Sequence, residues 1–235
     1  VASELMTPTA SAPPPPEWWR QARQELSAAD PVLAGLISGF GEAALGSRGD
    51  PFTTLARSIV GQQISVKAAQ SVWDRFATAV SGSQQADHQL PVNQPALTAV
   101  TPLAVMAMSV EQLRACGLSQ RKAEYLGDLA QRFDQGDLLP ARWPTMDDEA
   151  VIAELIRVRG IGRWTAEMFL IFNLLRPDVL PLDDIGLLRA MGLHWLQGVT
   201  PTRAQAQDLA QRWAPWRTAA TWYLWRSLDP VPVEY

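Results

Sequence analysis

Leu155-Ile156-Arg157-Val158-Arg159-Gly160-Ile161-Gly162-Arg163-Trp164-Thr165-Ala166 is the stretch on which the fold turns. Two glycines one residue apart stop the helix before them and let the backbone turn tightly; a new helix then starts and continues into the apolar run 168–175. The spacing therefore predicts two helices joined by a hairpin. At the start of the second helix the amides of Gly160, Gly162 and Thr165 have no intrahelical acceptor. Together with the positive end of the helix dipole, and with Arg163 beside them, they form a place for a phosphate. Taken alone, a G-x-G is as well explained by an ordinary αα-hairpin whose glycines allow close packing. The continuation of the sequence decides between the two.

After the second helix comes Pro177-Asp178-Val179-Leu180-Pro181-Leu182-Asp183-Asp184, two adjacent carboxylates where another helix begins. Asp183 reads as the cap of that helix, which leaves Asp184 to face elsewhere. Upstream, Val66, Ala69, Val72, Trp73, Phe76 and Val80 recur at three- and four-residue spacing and predict a helix over about 66–80. Gly117 turns the chain and Ser119 caps a further helix with the stripe Ala123, Leu126, Ala130, Phe133. Period-two alternation is missing, so the fold class is all-α without a sheet. The polar stretch 81–101 reads as a long surface connection and 139–145 as a second break. Residues 1–16, ending in four prolines, read as a disordered tail.

The chain has 235 residues, is 47% hydrophobic and carries a net charge of −4, enough for one sizeable core or two smaller lobes. That charge excludes a protein that holds nucleic acid on a broad basic surface and by itself favours a small-molecule enzyme; any grip on DNA must be local. A single cysteine, Cys116, excludes an internal disulfide, a CxxC zinc site and a four-cysteine iron–sulfur cluster, and it reads as a small buried residue. His88 and His194 lie too far apart in sequence to suggest a metal site. Lys67 and Lys122 are the only lysines, so amine chemistry has two candidates. Neither a membrane-spanning run nor a secretory signal is evident, and a cytoplasmic protein, associated with the bacterial nucleoid through DNA, is expected.

Hairpin, apolar helix and acidic pair together resemble the helix–hairpin–helix–Gly/Pro–Asp superfamily of DNA glycosylases, and within it the bacterial and yeast 3-methyladenine DNA glycosylases. Three other stretches carry the same resemblance. Asp50-Pro51-Phe52 through Arg57-Ser58-Ile59-Val60-Gly61-Gln62-Gln63-Ile64-Ser65 is similar to the family's leading helix and DNA-probing loop. Cys116-Gly117-Leu118-Ser119-Gln120-Arg121-Lys122-Ala123 is similar to its Gly-Leu-Ser-x-x-Lys-Ala turn, and Trp213-Ala214-Pro215-Trp216-Arg217 with Trp222 and Trp225 to its tryptophan-rich closing helices. The resemblance implies two helical subdomains flanking an active-site cleft, one built from 17–50 and 190–235 and one from 51–189 carrying the hairpin, without the extra N-terminal mixed domain of longer members. It implies a monomer acting on double-stranded DNA that contains a damaged base.

An enzyme of this kind extrudes the damaged nucleotide and hydrolyses its glycosidic bond, leaving an abasic site. The resemblance assigns the catalytic carboxylate to Asp184, which stabilises positive charge on the sugar or activates water. It assigns the base pocket to Trp164 and Trp225, with Met168 and Arg226 beside them. Trp222 reads equally as pocket or core, whereas Trp73, Trp213 and Trp216 read as core. Gln62, Gln63 or Ser65 is the implied wedge and reader of the orphaned base, and Lys122 joins the phosphate contacts. The carbonyls of Ile156, Val158 and Ile161 are implied to hold a structural monovalent cation, with no required cofactor and no iron–sulfur cluster. Bifunctional relatives carry a lysine where this chain has Trp164, so a monofunctional enzyme without lyase activity is expected. Two alternatives stay open: a non-catalytic hairpin module that binds distorted DNA, and a glycosylase for oxidised or deaminated bases.

Overall fold

Pro31, Pro51 and Pro102 each occupy the first turn of a helix, where a missing N–H costs nothing, behind Asp30, Asp50 and Thr101, whose side chains accept backbone amides. Ser109, Ser119, Asp147, Asp184 and Thr202 cap five more helices in the same way. The computed structural model describes residues 14–87 and 100–228. In chain order its helices are α1 (Trp19–Ala29), α2 (Pro31–Gly39), α3 (Pro51–Gly61), α4 (Val66–Asp87), α5 (Pro102–Met106) and α6 (Val110–Ala115), followed by α7 (Gln120–Asp134) and α8 (Asp148–Leu155). The chain continues through α9 (Arg163–Phe172), α10 (Ile185–Trp195), α11 (Arg203–Leu209) and α12 (Arg217–Leu228), with 3-10 turns at Pro140–Thr145 and Ala210–Trp213. Among the described residues there is no strand, and no helix is long and apolar enough to cross a membrane.

Two expected loops are helical. α4 continues past Val80 to Asp87, because residues 81–87 contain no proline and the single Gly82 costs only about 1 kcal/mol; Ser81 Oγ bonds back to the Ala77 carbonyl at 2.7 Å. The rest of that polar stretch, with His88, and the tail up to Pro13 lie outside the described residues. The break at 139–145 is a 3-10 turn that buries Trp143 completely. Its ring meets Phe133 and Phe169 edge-on at 6.2 and 5.2 Å, and its indole N–H donates to Glu154 at 2.9 Å. Such a ring dominates local packing, and truncating it would cost about 3–5 kcal/mol.

α3 packs against α4, α7 and α9, while α1, α2, α10 and α12 form a second group in which α12 touches the other three. Residues 189 and 190, the expected subdomain boundary, are consecutive residues of α10, so the whole of that helix belongs with α12. Asp30 joins the N-terminal helices to the C-terminal part of the chain: fully buried, it caps α2, lies 3.6 Å from Arg212 and accepts from the Trp213 indole. A buried charge persists only when paired in this way. The segment leading to Asp184 is anchored on α12, where Arg217 grips Asp178 through two bonds of 2.6 and 2.7 Å and Thr218 Oγ1 accepts from the Val179 amide.

Candidate active site

Asp184 is itself the cap of α10. Its Oδ1 accepts from the Leu187 amide at 2.6 Å and from the Trp225 indole N–H at 2.8 Å, and its Oδ2 from the Trp164 indole N–H at 3.0 Å. The expected division of labour is therefore reversed: Asp183 is exposed and ion-paired with Arg203, and does not cap. The reason is where the helix begins. A turn closed by the Asp184 amide on the Pro181 carbonyl at 2.9 Å delays the first helical residue to Ile185, which makes Asp184 the preceding, capping residue. Gly186 allows the close approach, since a Cβ there would stand 3.1 Å from Asp184 Oδ1 and 3.4 Å from the Trp225 ring.

Three N–H donors thus hold one half-buried carboxylate in a fixed orientation between two indoles. A carboxylate so held stabilises positive charge at one place without reorganising, and each oxygen keeps acceptor capacity toward an approaching group. Phe172 extends the aromatic wall, stacked on Trp225 at 5.8 Å with 15° between planes, and the Arg48 guanidinium lies 4.0 Å over the Phe172 ring. Arg48 is placed by backbone and side-chain bonds that strap residues 47–49 to the end of α9: Arg48 N–H to the Phe172 carbonyl, and Asn173 Nδ2 to the Gly49 carbonyl. Sequence reading missed Phe172, although 164, 168 and 172 share one helical face. An arginine outside any motif gave no signal at all.

The other pocket candidates separate. Met168 is half-buried against the core on the same face of α9 as Trp164. Trp222 packs edge-on against Trp19 and Tyr223, and Arg226 lies over Phe40 and Trp222, at 5.3 and 5.4 Å. Both therefore join the α1–α2 cluster and make no hydrogen bond or ring contact with the Asp184 group. Trp73 and Trp213 are buried, while Trp216 is half-buried and stacks on Trp18.

In the hairpin only Gly160 requires glycine. Its φ is +84°, and a Cβ would stand 2.1 Å from the Tyr125 ring, on which it rests. Gly162 has an ordinary φ of −95° and open space where a Cβ would be, so the expectation that both glycines serve the turn holds for the first alone. Gly162 is the residue before α9, which begins without a side-chain cap, as an anion site at its amides requires. Thr165 is buried behind it. Arg163 does not extend toward such an anion: Glu149 and Glu167 both pair with its guanidinium. Burial raises the Glu167 carboxyl above the usual range.

Gln62 Nε2 donates to the Gly160 carbonyl at 2.8 Å, Gln63 is exposed with φ +59°, and Ser65 Oγ accepts from the Ala68 amide. Lys122 donates its ammonium to the Val60 carbonyl at 2.8 Å, and burial lowers its pKa. It therefore closes the end of α3. Of the carbonyls expected to face a cation, that of Val158 already accepts from Ile161 N–H at 3.1 Å. Among the described residues no cluster of histidine, cysteine and acidic groups could hold a metal ion. His194 bonds Ser227, and Cys116 is buried.

Residues 56–215, from α3 through the hairpin and Asp184 to the turn before α12, match the HhH-GPD superfamily of base excision DNA repair proteins. The chain belongs to that superfamily. The DNA-3-methyladenine glycosylase 1 of Schizosaccharomyces pombe is 35% identical to this HhH-GPD chain over 181 residues, 76% of the chain and 72% of the relative. The structure of a DNA-3-methyladenine glycosidase from Bacillus halodurans superposes with a TM-score of 0.76 at 32% identity, covering 88% of the chain and 89% of that structure. That of a Schizosaccharomyces pombe 3-methyladenine DNA glycosylase in complex with abasic DNA gives 0.73 at 29% identity, covering 92% and 99%.

Proposed function

We propose that the chain is a monofunctional DNA glycosylase that hydrolyses the N-glycosidic bond of alkylated bases, of the 3-methyladenine and 7-methylguanine type, flipped out of duplex DNA. The observation that carries this reading is the Asp184 carboxylate, held by three N–H donors between Trp164 and Trp225. The names of its relatives support the choice of substrate.

DNA is gripped locally, by the uncapped start of α9 behind Gly162, which is how a chain of net charge −4 holds a polyanion. The carbonyl oxygens of Ile156, Val158 and Ile161 are hard donors that suit a monovalent cation, Val158 through its second lone pair; such an ion would add positive charge beneath that grip. Once the nucleotide is extruded, departure of the base leaves positive charge on the deoxyribose, and Asp184 stabilises it more in the transition state than in the ground state. An alkylated purine is already cationic and leaves without a strong general acid. The indole rings of Trp164 and Trp225 offer it faces worth roughly 0.5–2 kcal/mol each.

Schiff-base chemistry needs an amine at the sugar. Position 164 carries an indole, Lys122 is committed to the Val60 carbonyl, and Lys67 lies on α4, outside the hairpin and the segment that carry Trp164 and Asp184. The product is therefore an intact abasic site. The test is chromatographic release of free methylated base from duplex DNA, run beside borohydride trapping: released base without a trapped adduct supports the reading. No release from any alkylated duplex rejects the activity, and a trapped adduct rejects monofunctionality.

A further inference from the structure

The turn between α3 and α4 is fastened to the hairpin by one side chain. Gln62 Nε2 donates to the Gly160 carbonyl at 2.8 Å, and that carbonyl is not free to move. Tyr125 lies under Gly160, and the neighbouring Arg159 amide donates to Asp128 of α7 at 2.8 Å. On the other side Lys122, at the start of α7, holds the Val60 carbonyl at the end of α3. The α3 end of the turn is thus pinned twice, at Val60 and at Gln62, to elements that carry or support the hairpin.

The remaining side chains of the turn divide accordingly. Ser65 is occupied at the start of α4. Gln63, in a left-handed conformation that an ordinary side chain adopts at a cost, projects into solvent, and Ile64 is 40% exposed beside it. An exposed isoleucine at the tip of a pinned turn has the chemistry of the apolar wedges that separate stacked base pairs.

We propose that Gln62 is a positioning residue, which couples the α3–α4 turn to the phosphate-gripping hairpin, and that the side chains entering the duplex are Gln63 and Ile64. The inference rests on the glycosylase reading above. A plug must resist the restacking of the bases it separates. Through Gln62 that load passes into the hairpin, which is itself held by the DNA backbone, so grip and wedge act as one rigid unit.

Gln62→Met keeps the length of the side chain and removes the donor, and Gln62→Ala serves the same comparisons where the first variant is unstable. The expected result is a loss of at least tenfold in the single-turnover release of a methylated base paired within a duplex, by the same factor opposite each of the four bases. Release of the same lesion opposite an abasic analogue, where little extrusion work remains, changes less than threefold. Ile64→Ala keeps the tether and shows the same pattern. A loss that varies with the opposite base would mean that Gln62 reads the orphaned base directly. An equal loss on both substrates, an unchanged Gln62→Met enzyme or an unchanged Ile64→Ala enzyme each overturns the proposal. A wild-type protein that releases no base from either substrate overturns the glycosylase reading itself, which these variant comparisons leave intact.

Discussion

Trp164 and Asp184, twenty residues apart, are joined by a 3.0 Å hydrogen bond from the indole Nε1 to the carboxylate Oδ2, and Trp225 makes the matching bond to Oδ1 at 2.8 Å. The indoles expected to stack on a base therefore also orient the carboxylate. A donor held against an ionised acceptor is worth about 1.5–3 kcal/mol.

Trp164→Phe separates the two roles, because it keeps a ring and removes the N–H. Single-turnover base release is expected to fall roughly tenfold or more, as loss of an interaction of that size implies. Affinity for abasic DNA should stay unchanged. A Trp164→Phe enzyme with wild-type release would show that only stacking matters.

Asp184→Asn should abolish base release while keeping the cap on α10 and the DNA affinity, since asparagine caps a helix as well as aspartate does and its amide nitrogen forfeits only the bond from the exposed Trp164 indole. Loss of a fixed charge opposite a developing one typically costs on the order of a hundredfold or more. Asp184→Ala should in addition lower stability by about 1 kcal/mol through the missing cap on α10, read as a lower midpoint in urea.

The two hairpin glycines should behave differently. Gly160→Ala forces a Cβ into the Tyr125 ring at a positive φ, and a loss of more than about 2 kcal/mol is expected by denaturant titration. Gly162→Ala meets nothing within 4 Å, so its cost should be limited to about 0.5–1 kcal/mol, the preference for glycine over alanine at a helix start. A larger effect is expected on DNA affinity, because a side chain is added at the residue whose backbone opens the uncapped start of α9. Unchanged binding by a folded Gly162→Ala protein would remove those amides from the phosphate contact.

Glu167 provides a test by pH. One of its oxygens accepts from Arg163 and the other is buried without a partner, and burial raises its pKa. A carboxyl raised in the folded state contributes stability that is present below the unfolded value of about 4.3 and lost as pH rises through the folded one. Glu167→Gln removes that titration and leaves an oxygen for Arg163. The melting temperature of wild type should therefore fall relative to Glu167→Gln between about pH 4 and pH 7. A constant difference across that range would show that Glu167 titrates normally.

Much of the fold was legible because its signals are local. Caps such as Ser119, the proline starts and the apolar stripe of α4 depend on neighbours within a few residues, and the G-x-G of the hairpin announces itself for the same reason. Asp184 was also legible as the candidate carboxylate, from its place after the hairpin. The errors arose where a local rule permits two answers. Asp183 and Asp184 are equally good caps, and only the turn onto Pro181 selects the second. Trp222 and Trp225 lie one helical turn apart, yet one packs against Trp19 and the other holds the carboxylate.

By itself, then, the sequence determined an all-helical chain with a glycine hairpin and a conspicuous pair of carboxylates behind it, because backbone preference and periodicity are properties of adjacent residues. Only the tertiary structure decided which indoles reach Asp184, that Gln62 is spent on Gly160, and that Phe172 and Arg48 stand at the site. Those pairings join residues far apart in the chain, and a hydrogen bond is settled by the packing of whole helices to within a few tenths of an ångström, which no local pattern encodes.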